Sequence, residues 1–256
     1  MFAGPWLEPL ANADRTAWGL VAAGPFVGSF LGVIVRRLPE GRPILWARSC
    51  CESCGEALRA RDLVPLVGWL AARGRCRFCG ARLGWFYPAI ELAATLVAFV
   101  ALAVDGRAET WLDCIFGWWL LALGWIDLRC WLLPDALTLP LILAGLAATA
   151  AFDPASLAAC ALGAVLGYTG LRLVGWGYRR LRGGEGIGHG DAKLLAASGA
   201  WLGAAALPEV ILLAAAAGLA AALCLRLAGI RLGTRSAMPF GPFLAGATWL
   251  LWLAAR

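Results

Sequence analysis

Charge is what this 256-residue chain has least of: 15% of its residues are charged and 61% are hydrophobic. A soluble globular domain carries about 25% charged and about 45–50% apolar residues. The shortage excludes a soluble class, and mean hydropathy is +0.76. No stretch reads as a soluble domain with a sizeable core of its own. The features of a signal peptide are also missing from its first residues. The first 15 residues hold Glu8, Asp14 and Arg15 but no basic n-region and no small-residue cleavage site, so the first apolar segment is expected to stay as a span. No internal repeat is evident, and histidine occurs once, at His189.

What is present is a series of apolar runs of about 20 residues, the signature of a polytopic membrane protein. Eight spans are expected, near 17–35, 88–104, 111–126, 135–152, 156–175, 191–206, 208–226 and 238–254. The fold class is therefore all-α. Charge placement supports the count. Of 22 Lys and Arg residues, 19 fall in segments on one predicted side, ten of them arginines between Arg36 and Arg82. The opposite side keeps Arg15, Arg107 and Arg256. The positive-inside rule then puts the basic loops in the cytoplasm and both termini outside. The net charge of +6 is read as this loop asymmetry, so no nucleic-acid partner is expected. Among the fourteen tryptophans, Trp118, Trp119, Trp249 and Trp252 suit an interfacial belt facing membrane lipid. Small residues such as Ala214–Gly218 let helices approach closely, or simply face lipid.

Nine cysteines are present, and four form two pairs in the one substantial polar loop, residues 39–88. Cys51-Glu52-Ser53-Cys54-Gly55 and Cys76-Arg77-Phe78-Cys79-Gly80 each have the spacing of a knuckle turn. Four thiolates at Cys51, Cys54, Cys76 and Cys79 satisfy a tetrahedral structural zinc ion, the rival readings being a redox pair or unligated thiols. A metal staple suits a loop of about fifty residues that is marginal as a fold. Cys50 is a substitute ligand at poorer spacing. Cys114, Cys130, Cys160 and Cys224 read as packing residues. Between the knuckles, Asp62–Leu70 lies on the membrane surface, against the spans, or only within the metal module.

Ionisable groups at a membrane boundary mark functional sites. Asp127 closes the third span on the basic side, and Asp191 opens the sixth from that same side. They meet if those helices are neighbours. Two close carboxylates share a proton and together activate water against a peptide carbonyl, with neither metal nor covalent intermediate. Gly186, Gly188 and Gly190 would let the backbone approach a substrate strand and leave the loop mobile. Lys193 either supports this substrate loop or reaches lipid headgroups. Glu91, just inside the second span, is a candidate for binding a cationic part of a substrate. Asp135 is read as a helix N-cap, and His189 as a solvated loop residue.

These motifs, in order, resemble those of bacterial type IV prepilin peptidases, polytopic GxGD aspartic proteases. The match includes Gly28–Leu31, Arg36–Pro39, both knuckles, Tyr87–Leu92, Ile126-Asp127, Leu132–Asp135, Glu185–Leu195 and Pro239–Phe243. The resemblance implies that Asp127 and Asp191, 64 positions apart, are the catalytic pair. It implies cleavage of the basic leader of prepilins or pseudopilins after a glycine, at the cytoplasmic face of the bacterial inner membrane. It also implies methylation of the new N-terminal amine from S-adenosylmethionine, although no Rossmann-type glycine fingerprint is present. The implied organisation is an N-terminal segment and first span (1–38), a cytoplasmic four-cysteine zinc domain (39–88) and a transmembrane peptidase core (89–256). Gly32 and Glu52 depart from the residues usual in the family, asparagine and proline. The alternatives are a presenilin-like protease that cuts within the bilayer, or a proton-relaying transporter or scaffold with a zinc docking loop. Oligomeric state is not legible.

Overall fold

The computed structural model describes residues 15–46, 48–104, 110–182, 188–230 and 238–255. Among these the chain is helical, with no strand beyond two isolated bridges in the cysteine loop. Eight long helices follow the apolar runs: α1 (Arg15–Arg37), α2 (Phe86–Val104), α3 (Thr110–Cys130), α4 (Asp135–Phe152), α5 (Leu157–Arg182), α6 (His189–Leu202), α7 (Leu207–Leu227) and α8 (Gly241–Ala254). Six of them, α1 to α5 and α7, are long and apolar enough to cross a membrane. The other two have 14 residues each. At about 1.5 Å per residue they reach roughly 21 Å, short of a hydrocarbon core of about 30 Å. The expected eight spans thus resolve into six full-length helices and two shorter ones.

The chain divides into two compact units, Met1–Trp118 and Trp119–Arg256. In the first, α1 packs along α2. Gly28 allows this, because a Cβ there would lie 2.5 Å from the Glu91 Cα. Trp118 is buried and donates its indole N–H to the Ala94 carbonyl at 2.8 Å.

In the second unit α6 is the central helix. Every residue from Leu194 to Trp201 is buried, against α5 above all, then α4 and α8. Small residues set the α5–α6 distance. A Cβ on Gly163 would fall 2.5 Å from the Gly199 carbonyl oxygen, and one on Gly167 would fall 2.6 Å from that of Leu195. Such close backbone approach supports helix association where no hydrophobic drive operates. The Ala214–Gly218 run serves this purpose in part: Ala214 is buried and Gly218 faces Phe243 of α8, while Ala215, Ala216 and Ala217 are exposed on α7.

Of the tryptophans expected in an interfacial belt, Trp118 is buried, and Trp119, Trp249 and Trp252 are part-buried. Besides Trp118, Trp119 donates to Leu137 at 3.1 Å, and Trp252 meets Trp201 edge-on at 5.2 Å. An indole N–H buried among helices needs an acceptor, which these carbonyls supply. Cys114 and Cys160 are buried as packing residues, but Cys130 and Cys224 are exposed.

Candidate active site and metal centre

Asp127 lies one turn before the end of α3 and is 6% exposed. Its Oδ2 accepts the Gly241 N–H at 3.0 Å, across 114 positions of sequence. Gly241 opens α8, with proline in the next position. Free N–H groups at a helix start suit a carboxylate. Only glycine fits there, because a Cβ would lie 2.6 Å from that same Oδ2. Gly124, one turn earlier on α3, faces Pro242. The third and sixth helices thus need no long shared interface. The start of α8, which also packs on α6, holds Asp127 in place.

Asp191 sits in the first turn of α6, whose N-cap is Gly188 in an extended conformation. The Asp191 carboxylate turns back towards Gly188, where a Cβ would lie 3.0 Å from its Oδ2. Asp191 lies close enough to Asp127 for the two carboxylates to interact electrostatically. Gly190 packs on Leu133, and a Cβ there would fall 2.8 Å from the Leu133 side chain. Close packing and capping therefore account for Gly188 and Gly190 in this structure. Glu185 and Gly186 lie outside the described residues.

Two expectations near this site are corrected. The N-cap of α4 is Pro134, and Asp135 is the first helical residue. Its carboxylate pairs with the Lys193 ammonium, so Lys193 ties α6 to α4. His189 is exposed and meets the Arg172 guanidinium of α5. Gly241 was not singled out from the sequence as a partner of Asp127. Its only signal was the Pro-Phe-Gly-Pro string, which says nothing of the acid it faces.

In the first unit the four cysteines converge. Their Sγ atoms all lie within 4.8 Å of one another, and those of Cys51 and Cys79 are 3.9 Å apart. Thiolates about 2.3 Å from a tetrahedral ion would stand about 3.8 Å apart, so the cluster can hold a metal ion. The two knuckles repeat each other. Gly55 and Gly80 donate to the carbonyls of Cys51 and Cys76 and adopt φ of +71° and +73°. The bridges Cys50–Ala57 and Arg75–Arg82 flank them in the same register. Cys50 joins that bridge through its backbone, and its thiol is exposed and outside the sulfur cluster. The N–H groups of Cys54 and Ser53 hold the Cys51 thiol down to about 6. Cys54 is pushed up to about 12; the Glu56 N–H pulls it down but is outweighed by desolvation and the neighbouring thiols. Sulfurs this crowded cannot all ionise without a cation. Glu52, where proline is usual, pairs with Arg36 at the end of α1 and fastens the first knuckle to the helix.

Glu91 also belongs to this unit. It is 5% exposed, and its Oε2 accepts the Leu66 N–H at 2.7 Å. The apolar stretch between the knuckles therefore docks on α2, while Leu63, Val64, Val67 and Leu70 stay exposed.

Two family profiles match the chain: the bacterial peptidase A24 N-terminal domain over residues 22–105 and the type IV leader peptidase family over residues 114–223. A prepilin leader peptidase/N-methyltransferase of Burkholderia pseudomallei is 44% identical over 252 residues, 88% of this chain and 81% of the relative. Proteins of the same name from Dickeya chrysanthemi and Pseudomonas aeruginosa are 40% and 38% identical. The first alignment covers 93% of both chains, the second 91% of this chain and 89% of the relative. No solved structure matches. Identity of this order over nearly the full length establishes that the chain belongs to the type IV leader peptidase family.

Proposed function

We propose that this protein cleaves the leader of type IV prepilins or type II secretion pseudopilins and methylates the new N-terminus. It is a multi-pass protein of the inner membrane. The observation that supports the peptidase reading is the electrostatic proximity of Asp127 and Asp191 within the second unit, with Asp127 held by the Gly241 N–H. A proton-relaying transporter is not favoured, since its relatives are named peptidases.

In the proposed reaction one aspartate is ionised and the other protonated. The ionised carboxylate takes a proton from water as that water attacks the scissile carbonyl carbon. The protonated carboxyl gives its proton to the carbonyl oxygen. Collapse of the tetrahedral intermediate breaks the C–N bond, and the amine leaves with a proton from the pair. The Gly241 N–H fixes one Asp127 oxygen throughout, leaving the other for this exchange. The basic loops point to a cytoplasmic site with both termini periplasmic. Residues 39–88 would form the metal domain and 89–256 the peptidase core.

Cys51, Cys54, Cys76 and Cys79 would hold zinc, which supplies a fixed tetrahedral junction between the two knuckles. S-adenosylmethionine would supply the methyl group. Co-expression of a prepilin with Asp127→Ala or Asp191→Ala tests the peptidase reading. Both variants should insert in the membrane and leave the leader attached, and normal shortening by either one overturns the assignment.

A further inference from the structure

The first unit contains a cavity of about 210 Å³, bounded by α1, α2 and the cysteine loop. Ser29, Val33, Trp69, Tyr87 and Glu91 line it, with Arg36 among the cations at its wall. Three acids face it, and they differ. Glu52 pairs with Arg36, and Asp62 with Arg77 at 2.6 Å. Glu91 is the buried one, and among the described residues it has no cationic partner. Neutral groups alone attend it, the Leu66 N–H at 2.7 Å and the Ser29 hydroxyl.

A buried carboxylate without a counter-ion is unfavourable unless a ligand completes it. The wall beside it is strained as well. Leu66 adopts φ +59° and ψ −52°, a region leucine avoids, and it does so while donating to Glu91. Strained backbone of this kind collects at ligand sites. The cavity thus offers a buried anion at its floor, aromatic rings beside it and arginines at the wall.

We propose that this cavity is the methyl-donor site, with Glu91 facing the cationic end of S-adenosylmethionine. The inference rests on the methyltransferase reading above. The donor carries a sulfonium and an ammonium, which suit Glu91. Its carboxylate suits the arginines, and its adenine suits Trp69 or Tyr87. Small-molecule pockets usually begin at about 300 Å³, so this cavity encloses the charged end of the donor and leaves part of the nucleoside outside. When bound, the donor supplies a methyl group that passes from sulfur to the peptide amine, leaving a neutral thioether as the amine loses a proton.

The test is binding of radiolabelled S-adenosylmethionine to the full-length, metal-loaded protein in lipid nanodiscs, with ultraviolet cross-linking to map the labelled peptide. Glu91→Gln and the cavity-filling Val33→Phe should each weaken binding at least tenfold. The label should map within residues 29–91. Val33→Phe should retain its metal and still cleave leader, which shows that it has folded. Wild-type affinity in both variants, or label within 119–256, overturns the site while the methyltransferase reading stands. Undiminished donor binding by Glu91→Gln with methylation lost would assign the cavity to the peptide amine and also overturns it. If the wild-type protein neither binds the donor nor methylates prepilin, the underlying reading fails first and the site falls with it.

Discussion

Gly241→Ala probes the active site without altering either aspartate. The added methyl carbon would lie 2.6 Å from Asp127 Oδ2, 2.9 Å from its Cγ and 3.1 Å from its Cβ. Ordinary carbon–oxygen contact begins near 3.2 Å, so the carboxylate or the start of α8 must move by about 0.6 Å. The 3.0 Å hydrogen bond from the Gly241 N–H then lengthens or breaks. Overpacking costs about 1–3 kcal/mol, and a buried carboxylate deprived of a donor costs a similar amount. Misplacing a catalytic group by about 1 Å lowers rate by about 100-fold. The expected loss in kcat is therefore roughly 30- to 100-fold, about 2–3 kcal/mol in barrier. Gly246→Ala on the same helix is the control, because a Cβ there meets nothing within 4 Å. Initial rates of leader release by purified protein in nanodiscs provide the assay, with circular dichroism to check helix content. A Gly241→Ala rate within twofold of wild type, in a folded protein, would refute the claim that this contact positions Asp127.

Three further expectations follow from the same geometry. Cys51→Ser should abolish the roughly one zinc per chain seen by elemental analysis, whereas Cys50→Ser should leave it intact; the reverse order contradicts the ligand set. The Lys193–Asp135 pair is part-exposed, so it is worth at most about 1 kcal/mol. Lys193→Met and Asp135→Asn should each slow cleavage about three- to fivefold, and the double variant no further; full additivity would mean the pair does not act as one. The pH profile of cleavage should be bell-shaped, because a doubly protonated pair lacks a base and a doubly ionised pair lacks an acid. Its two limbs report the pair and not either residue, and a single-limbed profile would argue against a shared proton.

What the sequence made legible and what it hid divide along physical lines. Both knuckles were readable because Cys-x-x-Cys-Gly closes locally: the turn, the positive φ at Gly55 and Gly80 and the thiol placement all depend on five residues. Helix positions were readable from apolar run length. The roles of Trp118 and Trp119 were not, because whether an indole faces lipid or a carbonyl on another helix is a tertiary fact. The same holds for Asp135, whose partner Lys193 is 58 positions away. The nearness of Asp127 to Asp191 was inferred through a direct meeting of the third and sixth helices. The structure reaches it through α8, whose glycine accommodates the acid. Glu52 illustrates the converse. It is a departure from the usual residue whose purpose emerges once Arg36 is seen beside it.

The central claim is that Asp127 and Asp191 together remove a prepilin leader. Intact mass spectrometry of a prepilin co-expressed with the wild-type protein, Asp127→Asn or Asp191→Asn tests it most directly. The account predicts a shortened, N-methylated product from the wild type and a full-length precursor from either variant. Mature, shortened prepilin in cells carrying either asparagine variant as the sole copy would contradict it.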